Sequence, residues 1–425
     1  MNHVISGRGV RYLLIGVVAG LTACDTEVTN PGPVQDQFLD RVEAHDALVN
    51  GMGRATAQAL NWLSYTGGAV ARELHPSGST GSFGITIKWQ RGELSPTDDG
   101  LDTHWEQAQR ARWLSENGIQ RMSENAETDP ATLAQAYLWA GYANRILGEH
   151  MCSAVIDGGA IQPHTEYLNR AEAAFSQAST IGAGNVRTAA IAGRAAVRVQ
   201  LGKWTDAVAD AAQVADGFKY QMPYFDVGND DLRNRIQWAM AGTPYRAHTV
   251  WTTQWEQYYK DTNDPRVAWK DSGRTGDAAI DCCGLVPFYE TQKYKSPASA
   301  IDLSTSEEMR LIEAESMLRN GNVAGAMAKI NALRTAAGAP TVTATTADQA
   351  WTLLKRERGI VLYLEGRRFG DLRRWAADSA DGGSLHPLEM PSGNAAVGSH
   401  LVQQDLCFPI PPSEQDTNPN VPNAT

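Results

Sequence analysis

The sequence predicts a mostly α-helical protein: paired helices form a scaffold, a loop-rich half carries the ligand site, and strands are few and short. Three observations predict it. Apolar and small residues recur at helical spacing in several stretches, the turns between those stretches share a glycine-centred pattern, and many aromatics gather in two irregular stretches, 62–100 and 217–300.

The chain opens with Arg8 and Arg11, the apolar run Tyr12 to Leu21 and then small residues, the pattern of an export leader. The apolar run is well short of the roughly 18 to 20 residues that a membrane helix needs. Residues 1–23 are therefore expected to be removed. Leu21-Thr22-Ala23-Cys24 resembles a bacterial lipobox, which implies acylation of Cys24 and attachment through the lipid alone. Asp25 and Glu27 match a surface-export signal in one group of bacteria and, for an aspartate there, an inner-membrane retention signal in another, so they do not fix the leaflet. Residues 24–33, with Asn30-Pro31-Gly32-Pro33, read as an extended tether, and the body spans 34–425.

Within the body, helices are expected near Val42 to Leu60 and Leu101 to Met122. Helical pairs occupy about 133–216 and 306–337. In the first region Leu133–Gly148 pairs with Tyr167–Ala178, and Arg187–Leu201 turns at Gly202-Lys203-Trp204 into Thr205–Ala215. In the second, Ser306–Arg319 turns at Asn320-Gly321-Asn322 into Val323–Ala336. Glycine at the turn and alanine where helices touch is the logic of tetratricopeptide-like pairs. The second and third pairs are about a hundred residues apart, whereas that repeat recurs at about 34, so a simple solenoid is excluded. Phe83 to Gln90, with Ile85, Ile87 and Trp89 alternating against Thr86 and Lys88, predicts a short strand.

Four cysteines remain beyond Cys24: Cys152, Cys282, Cys283 and Cys407. An exported chain invites disulfides, and four cysteines allow three pairings. Adjacent Cys282 and Cys283 either bond each other in a strained ring or each reach a distant partner; we expect the second. Neighbouring cysteines do not fit the spacing of a zinc site. The stretch Ser95 to Gly100 with Glu106 follows a calcium loop only loosely, since Ser95 stands in place of the leading aspartate; Thr97, Asp98 or Asp99 is expected to cap a helix instead.

The net charge is −11, and removal of Arg8 and Arg11 with the leader would make it −13, which disfavours nucleic acid. Signatures for a serine nucleophile elbow, a zinc-dependent protease and a phosphate-binding loop are lacking, so neither an enzyme nor a cofactor is expected. Trp62, Tyr65, Arg72, Phe83, Trp89 and Gln90 combine flat rings with hydrogen-bonding groups, as saccharide recognition needs, and are the ligand-binding candidates. Trp251, Trp255, Tyr258 and Tyr259 lie at helical spacing and are expected in the core or on a partner surface.

Two late motifs lie within 351–375 and 407–420. Glu357-Arg358 followed by Glu365-Gly366-Arg367-Arg368-Phe369-Gly370-Asp371-Leu372-Arg373-Arg374-Trp375, and Cys407-Phe408-Pro409-Ile410-Pro411-Pro412-Ser413-Glu414 with Asn418-Pro419-Asn420, resemble the closing segments of SusD-like (RagB/SusD) proteins. Val361 and Arg367 depart from the residues common there. The resemblance implies a lipoprotein of the outer membrane, facing outward, that hands a nutrient, commonly an oligosaccharide, to a SusC-like TonB-dependent barrel. The alternative is an envelope scaffold that uses the same helices without a small ligand. Read physically, the first motif is structural: Glu365 with Arg368 and Asp371 with Arg374 are three apart, as helical ion pairs are, and Trp375 packs over them. The three prolines after Phe408 predict an extended strap.

Overall fold

The computed structural model describes residues 36–78, 87–90, 92–98, 100–240, 246–276, 286–378 and 405–422. The leader, the tether with Cys24, and Phe83, Cys282 and Cys283 lie outside them. The described helices are α1 (Val42–Val70), α2 (Ile87–Gln90), α3 (Leu101–Glu124), α4 (Pro130–His150), α5 (Thr165–Ile181), α6 (Gly184–Gln200), α7 (Trp204–Ala211), α8 (Arg235–Met240), α9 (Gln254–Thr262), α10 (Ser306–Arg319), α11 (Val323–Ala336), α12 (Ala347–Val361), α13 (Arg368–Ala377) and α14 (Pro412–Thr417). The mostly helical fold is therefore as expected.

The scaffold pairs are close because small residues let them be. A Cβ on Gly141 of α4 or on Gly193 of α6 would come within 2.5 Å of the Phe175 ring of α5, so one phenylalanine fills the space that two glycines leave. Ala192, Ala195 and Ala196 of α6 join Ala207 and Ala211 of α7 around Met309 and Ile312 of α10. The other side of α10 offers Leu311, Ala314 and Leu318 to Ala326 and Ile330 of α11 and to Trp351 and Leu354 of α12. At the predicted turns Gly202 and Gly321 have φ of 71° and 74°, a conformation that favours glycine. Thr305 and Asn322 cap α10 and α11 by accepting from the backbone N–H of Glu308 and Gly325.

Strands occur only as antiparallel pairs among the described residues: β1 (His75–Pro76) with β5 (His248–Thr249), β2 (Ser153–Ala154) with β3 (Gln162–Pro163), β4 (Lys219–Met222) with β8 (Ile301–Thr305), and β6 (Trp269–Thr275) with β7 (Pro287–Thr291). The pairs β1–β5 and β4–β8 stitch the 217–300 stretch onto the scaffold.

Two boundaries differ from expectation. α1 continues ten residues past Leu60, because its Gly67 and Gly68 permit close approach: a Cβ would lie 3.0 Å from Nε2 of His150 at Gly67 and 3.3 Å from Oε2 of Glu73 at Gly68. Leu63, Ala69 and Val70 bury the extension. Trp62 and Tyr65 are thus helical and not in a loop. Residues Ile87–Gln90, expected as strand, form a helical turn that buries Trp89 against His104 and Phe408.

Cys152 is bonded to Cys407. This corrects the expected pairing, since Cys282 and Cys283 then have no distant partner within the set of four. Geometry explains the choice: the strap at Phe408 runs beside Met151, with Cys152 N donating to Phe408 O at 2.8 Å and Phe408 N to His150 O at 2.7 Å.

Candidate ligand-binding site

α1 ends at Val70, and the next residues hold a strained turn. Arg72 has φ of 61°, uncommon outside glycine. The turn is fixed by Glu73, whose N–H donates to Gly68 O at 2.8 Å and whose Oε1 accepts from Leu364 N at 3.1 Å. Its consequence is that the Arg72 guanidinium is buried, 9% exposed, beside His75 Nδ1 at 3.0 Å.

Among the described residues no carboxylate lies within ion-pair reach of Arg72, and burial draws its pKa down to about 10. At neutral pH it is still a cation and must donate, so His75 accepts at Nδ1 and carries its proton on Nε2. Burial and then the Arg72 charge push the His75 pKa well below its ordinary value. The Nε2 atom is buried without a partner. The Trp251 ring stands edge-on to His75, 5.3 Å between centroids, and is half-buried.

β1 and β5 bring the second histidine. His248 Nδ1 lies 2.7 Å from the Tyr65 hydroxyl, and burial pulls its pKa down to about 3. Nearby along α1 the Arg235 guanidinium covers the Trp62 ring at 3.4 Å. The flanks of three segments, 79–86, 241–245 and 277–285, converge here: Gly78 N donates to Ala247 O, Arg246 Nε to Thr275 O at 2.9 Å, and Gly276 N to Val286 O at 2.9 Å. The junction between scaffold and loop-rich half thus collects two histidines, two tryptophans and a buried arginine.

Of the six sequence candidates, Arg72 is at this junction and Trp62 is half-buried beneath Arg235. Tyr65 and Trp89 are fully buried, which makes them supports for the wall and not contact surfaces. Phe83 and the Gln90 side chain lie outside the described residues. His75, Arg235, His248 and Trp251 were missed as site residues. Trp255 is in the core, as expected, with Tyr258 and Tyr259 partly buried.

The late motif forms a separate buried network. Asp371 accepts from Arg358 Nε and NH2 at 2.9 and 3.1 Å and from Arg374 Nε at 2.9 Å. Glu315 of α10 takes two more bonds from Arg374 and one from the Trp375 indole at 3.2 Å. Glu357 accepts from Arg334 at 2.8 Å and from Arg266. Burial alone would raise Asp371, but Arg358 and Arg374 outweigh it and hold its pKa near about 2.

Glu365 is a correction. It does not pair with Arg368, because α12 ends at Val361 and the left-handed Leu364 and Gly366, φ 58° and 73°, remove the helical turn that a three-residue offset assumes. Glu365 instead accepts from Lys293 Nζ, 2.5 Å away, and burial, only partly offset by that lysine, raises its pKa to about 8. Arg368 faces Glu73 and Asp371, with the Trp255 ring 5.7 Å away.

The model of the SusD family matches residues 211–424. Solved structures share the fold at low identity. A SusD superfamily protein from Parabacteroides distasonis is 13% identical with a TM-score of 0.65, over 89% of this chain and 98% of that one. A SusD-like carbohydrate binding protein from Bacteroides fragilis is 14% identical with a TM-score of 0.62, over 91% and 100%. A putative sugar binding protein from Bacteroides vulgatus is 13% identical with a TM-score of 0.63, over 89% and 97%. No curated protein matches the chain.

Proposed function

As this chain belongs to the SusD family, we propose that it captures a nutrient, an oligosaccharide, at the bacterial surface and passes it to a SusC-like TonB-dependent outer-membrane transporter, without covalent chemistry. In this reading residues 1–23 are removed, Cys24 carries the lipid, residues 24–33 are the tether and 34–425 the binding body. No described helix is long and apolar enough to cross a membrane, which is compatible with a lipid anchor. Tethering raises the effective concentration of the protein beside its transporter, so a modest pairwise affinity suffices.

Arg72 carries the proposal. A buried guanidinium without a carboxylate is costly, and a left-handed backbone adds to the cost; such a residue persists where it has a ligand to serve. It offers a fork of donors to hydroxyl oxygens, with Trp251 nearby to meet a ring face. The sugar-binding descriptions of two neighbours in fold agree with that chemistry.

The test has two arms. Capture of the full chain from gently solubilised membranes should bring a stoichiometric TonB-dependent barrel, and mass spectrometry should find acylated Cys24 at the mature N-terminus. Titration of the captured protein with an oligosaccharide panel should give saturable binding that Arg72→Met abolishes while the circular dichroism stays unchanged. Binding that survives Arg72→Met would displace the site, and capture of assembly factors in place of a barrel would replace nutrient uptake with the envelope-scaffold reading.

A further inference from the structure

α3 presents a second surface, whose lining shares no residue with the junction. Glu106, Arg110 and Trp113 follow one another at offsets of four and three, so they share one helix face. All three are exposed, Trp113 by 49%, and none has a hydrogen bond, ion pair or ring contact among the described residues. They border a cleft of about 600 Å³ between α3, the turn at Asp157–Gly158 and α14.

The cleft is built and not incidental. Its floor is the nearly buried Trp105, whose indole donates to Glu414 Oε2 at 3.1 Å, beside Gln109, which is fixed by Val155 O at 3.1 Å and the Tyr167 hydroxyl at 2.6 Å. Arg112 locks one wall, donating to Gln109 Oε1 at 2.9 Å and to Glu116 and Asp157 at 2.7 Å each. The other wall is held by the closing motif: Asn418 donates to Gly159 O at 3.0 Å and Asn420 to Gly158 O at 2.9 Å. The residues left over are one carboxylate, one guanidinium and one indole face.

We propose that this cleft is a second saccharide site, taking a short stretch of neutral sugar. A sugar ring lays its C–H face on the Trp113 indole, its hydroxyls donate to Glu106, and its oxygens accept from Arg110. Glu106 and Arg110 offset each other, and the further lining carboxylates Asp102 and Glu414, bonded only to neutral donors, disfavour an anion, which leaves a neutral ligand. A helical partner would need an apolar stripe, whereas on this face the ring is preceded within two turns by an arginine and a glutamate. The volume is within the roughly 300–1,000 Å³ of small-ligand pockets. Only the class of cargo is borrowed from the function proposed above. Two sites on one chain would hold a long glycan more tightly than either alone.

The experiment is fluorine NMR of the full chain in detergent, labelled with fluorotryptophan, with Trp113 and Trp251 assigned by Trp113→Phe and Trp251→Phe. Maltohexaose, cellohexaose, xylohexaose and mannohexaose are the probes. A saturable shift of the Trp113 resonance, weakened about threefold to tenfold by Glu106→Ala and by Arg110→Ala, supports the second site. Unmoved remaining tryptophan resonances show that these surface variants are folded. A response from Trp251 alone, or a Trp113 shift indifferent to both variants, overturns the second site and leaves the junction standing. Silence from every tryptophan with all four probes overturns both.

Discussion

The closing-motif network and the α1 junction both bury arginine, and they do so in opposite ways. Arg358 and Arg374 are surrounded by Asp371 and Glu315, each bond between 2.5 and 3.1 Å. Arg72 has a neutral histidine and, among the described residues, no carboxylate. The first arrangement meets its cations with carboxylates, although one nitrogen of Arg358 is left without a hydrogen bond; the second meets its cation with a neutral ring. Burial of charge alone therefore does not distinguish the two, whereas the charge of the partners does.

Acid should have the largest effect, through buried histidines of which His248 belongs to the junction. His104 and His150 are held neutral by burial, with pKa near about 4, and His248 near about 3, against an ordinary value of 6.5. The unfolded chain takes up those protons first, so the histidine contribution is full above pH 6.5 and falls as the pH drops toward 4, at about 1.4 kcal/mol per pH unit for each such group, opposed by the raised carboxyls Glu73 and Glu365. Asp371 adds its own loss only below its ordinary 3.8, continuing to about 2. Denaturant titrations across this range should show the histidine limb first; a flat profile from pH 6.5 to 4 would refute it.

Glu315→Ala comes next. It leaves Arg374 and the Trp375 indole short of their buried acceptor, so unfolding should become easier by about 3–5 kcal/mol. Glu365→Gln should raise stability at pH 7 by about 2–3 kcal/mol, because the raised pKa keeps the native carboxyl largely protonated while the unfolded one is ionised. Between pH 4.5 and 8 the wild type should lose stability as the unfolded glutamate ionises and the native one does not, and the glutamine variant should lack that loss. Smallest in stability is Arg72→Met, expected to be neutral or slightly stabilising in the same assay, since it removes a buried charge that nothing compensates. A loss as large as that of Glu315→Ala would place Arg72 with the network and not with a ligand.

The scaffold was legible because helix pairs announce themselves locally. Ser306–Arg319 and Val323–Ala336 match α10 and α11 to the residue, with Gly321 at the turn. The junction was not, because it depends on returns of the chain that no local pattern records. Arg72 and His75 are three apart, but His248 reaches Tyr65 from 183 residues away. Gly67-Gly68 lies past the expected helix end at Leu60 and is a close contact within α1, and the Glu365–Arg368 offset is not helical because Leu364 and Gly366 are left-handed. On α3, periodicity marks Trp105 and Trp113 alike, and only the packing decides that one is floor and the other open face.

The Cys152–Cys407 bond joins residues 255 apart. Most of the binding body is therefore a covalent ring closed at the end of α4, with the helical pairs α5 to α7 and α10 to α12 all threaded inside it. A single protease cut anywhere in that ring opens it without releasing a fragment: the two pieces stay linked until a reductant is added. In the proposed surface role such a topology is an advantage against foreign proteases, since one nick would neither shed the body from its proposed lipid anchor nor free the strap that walls the α3 cleft.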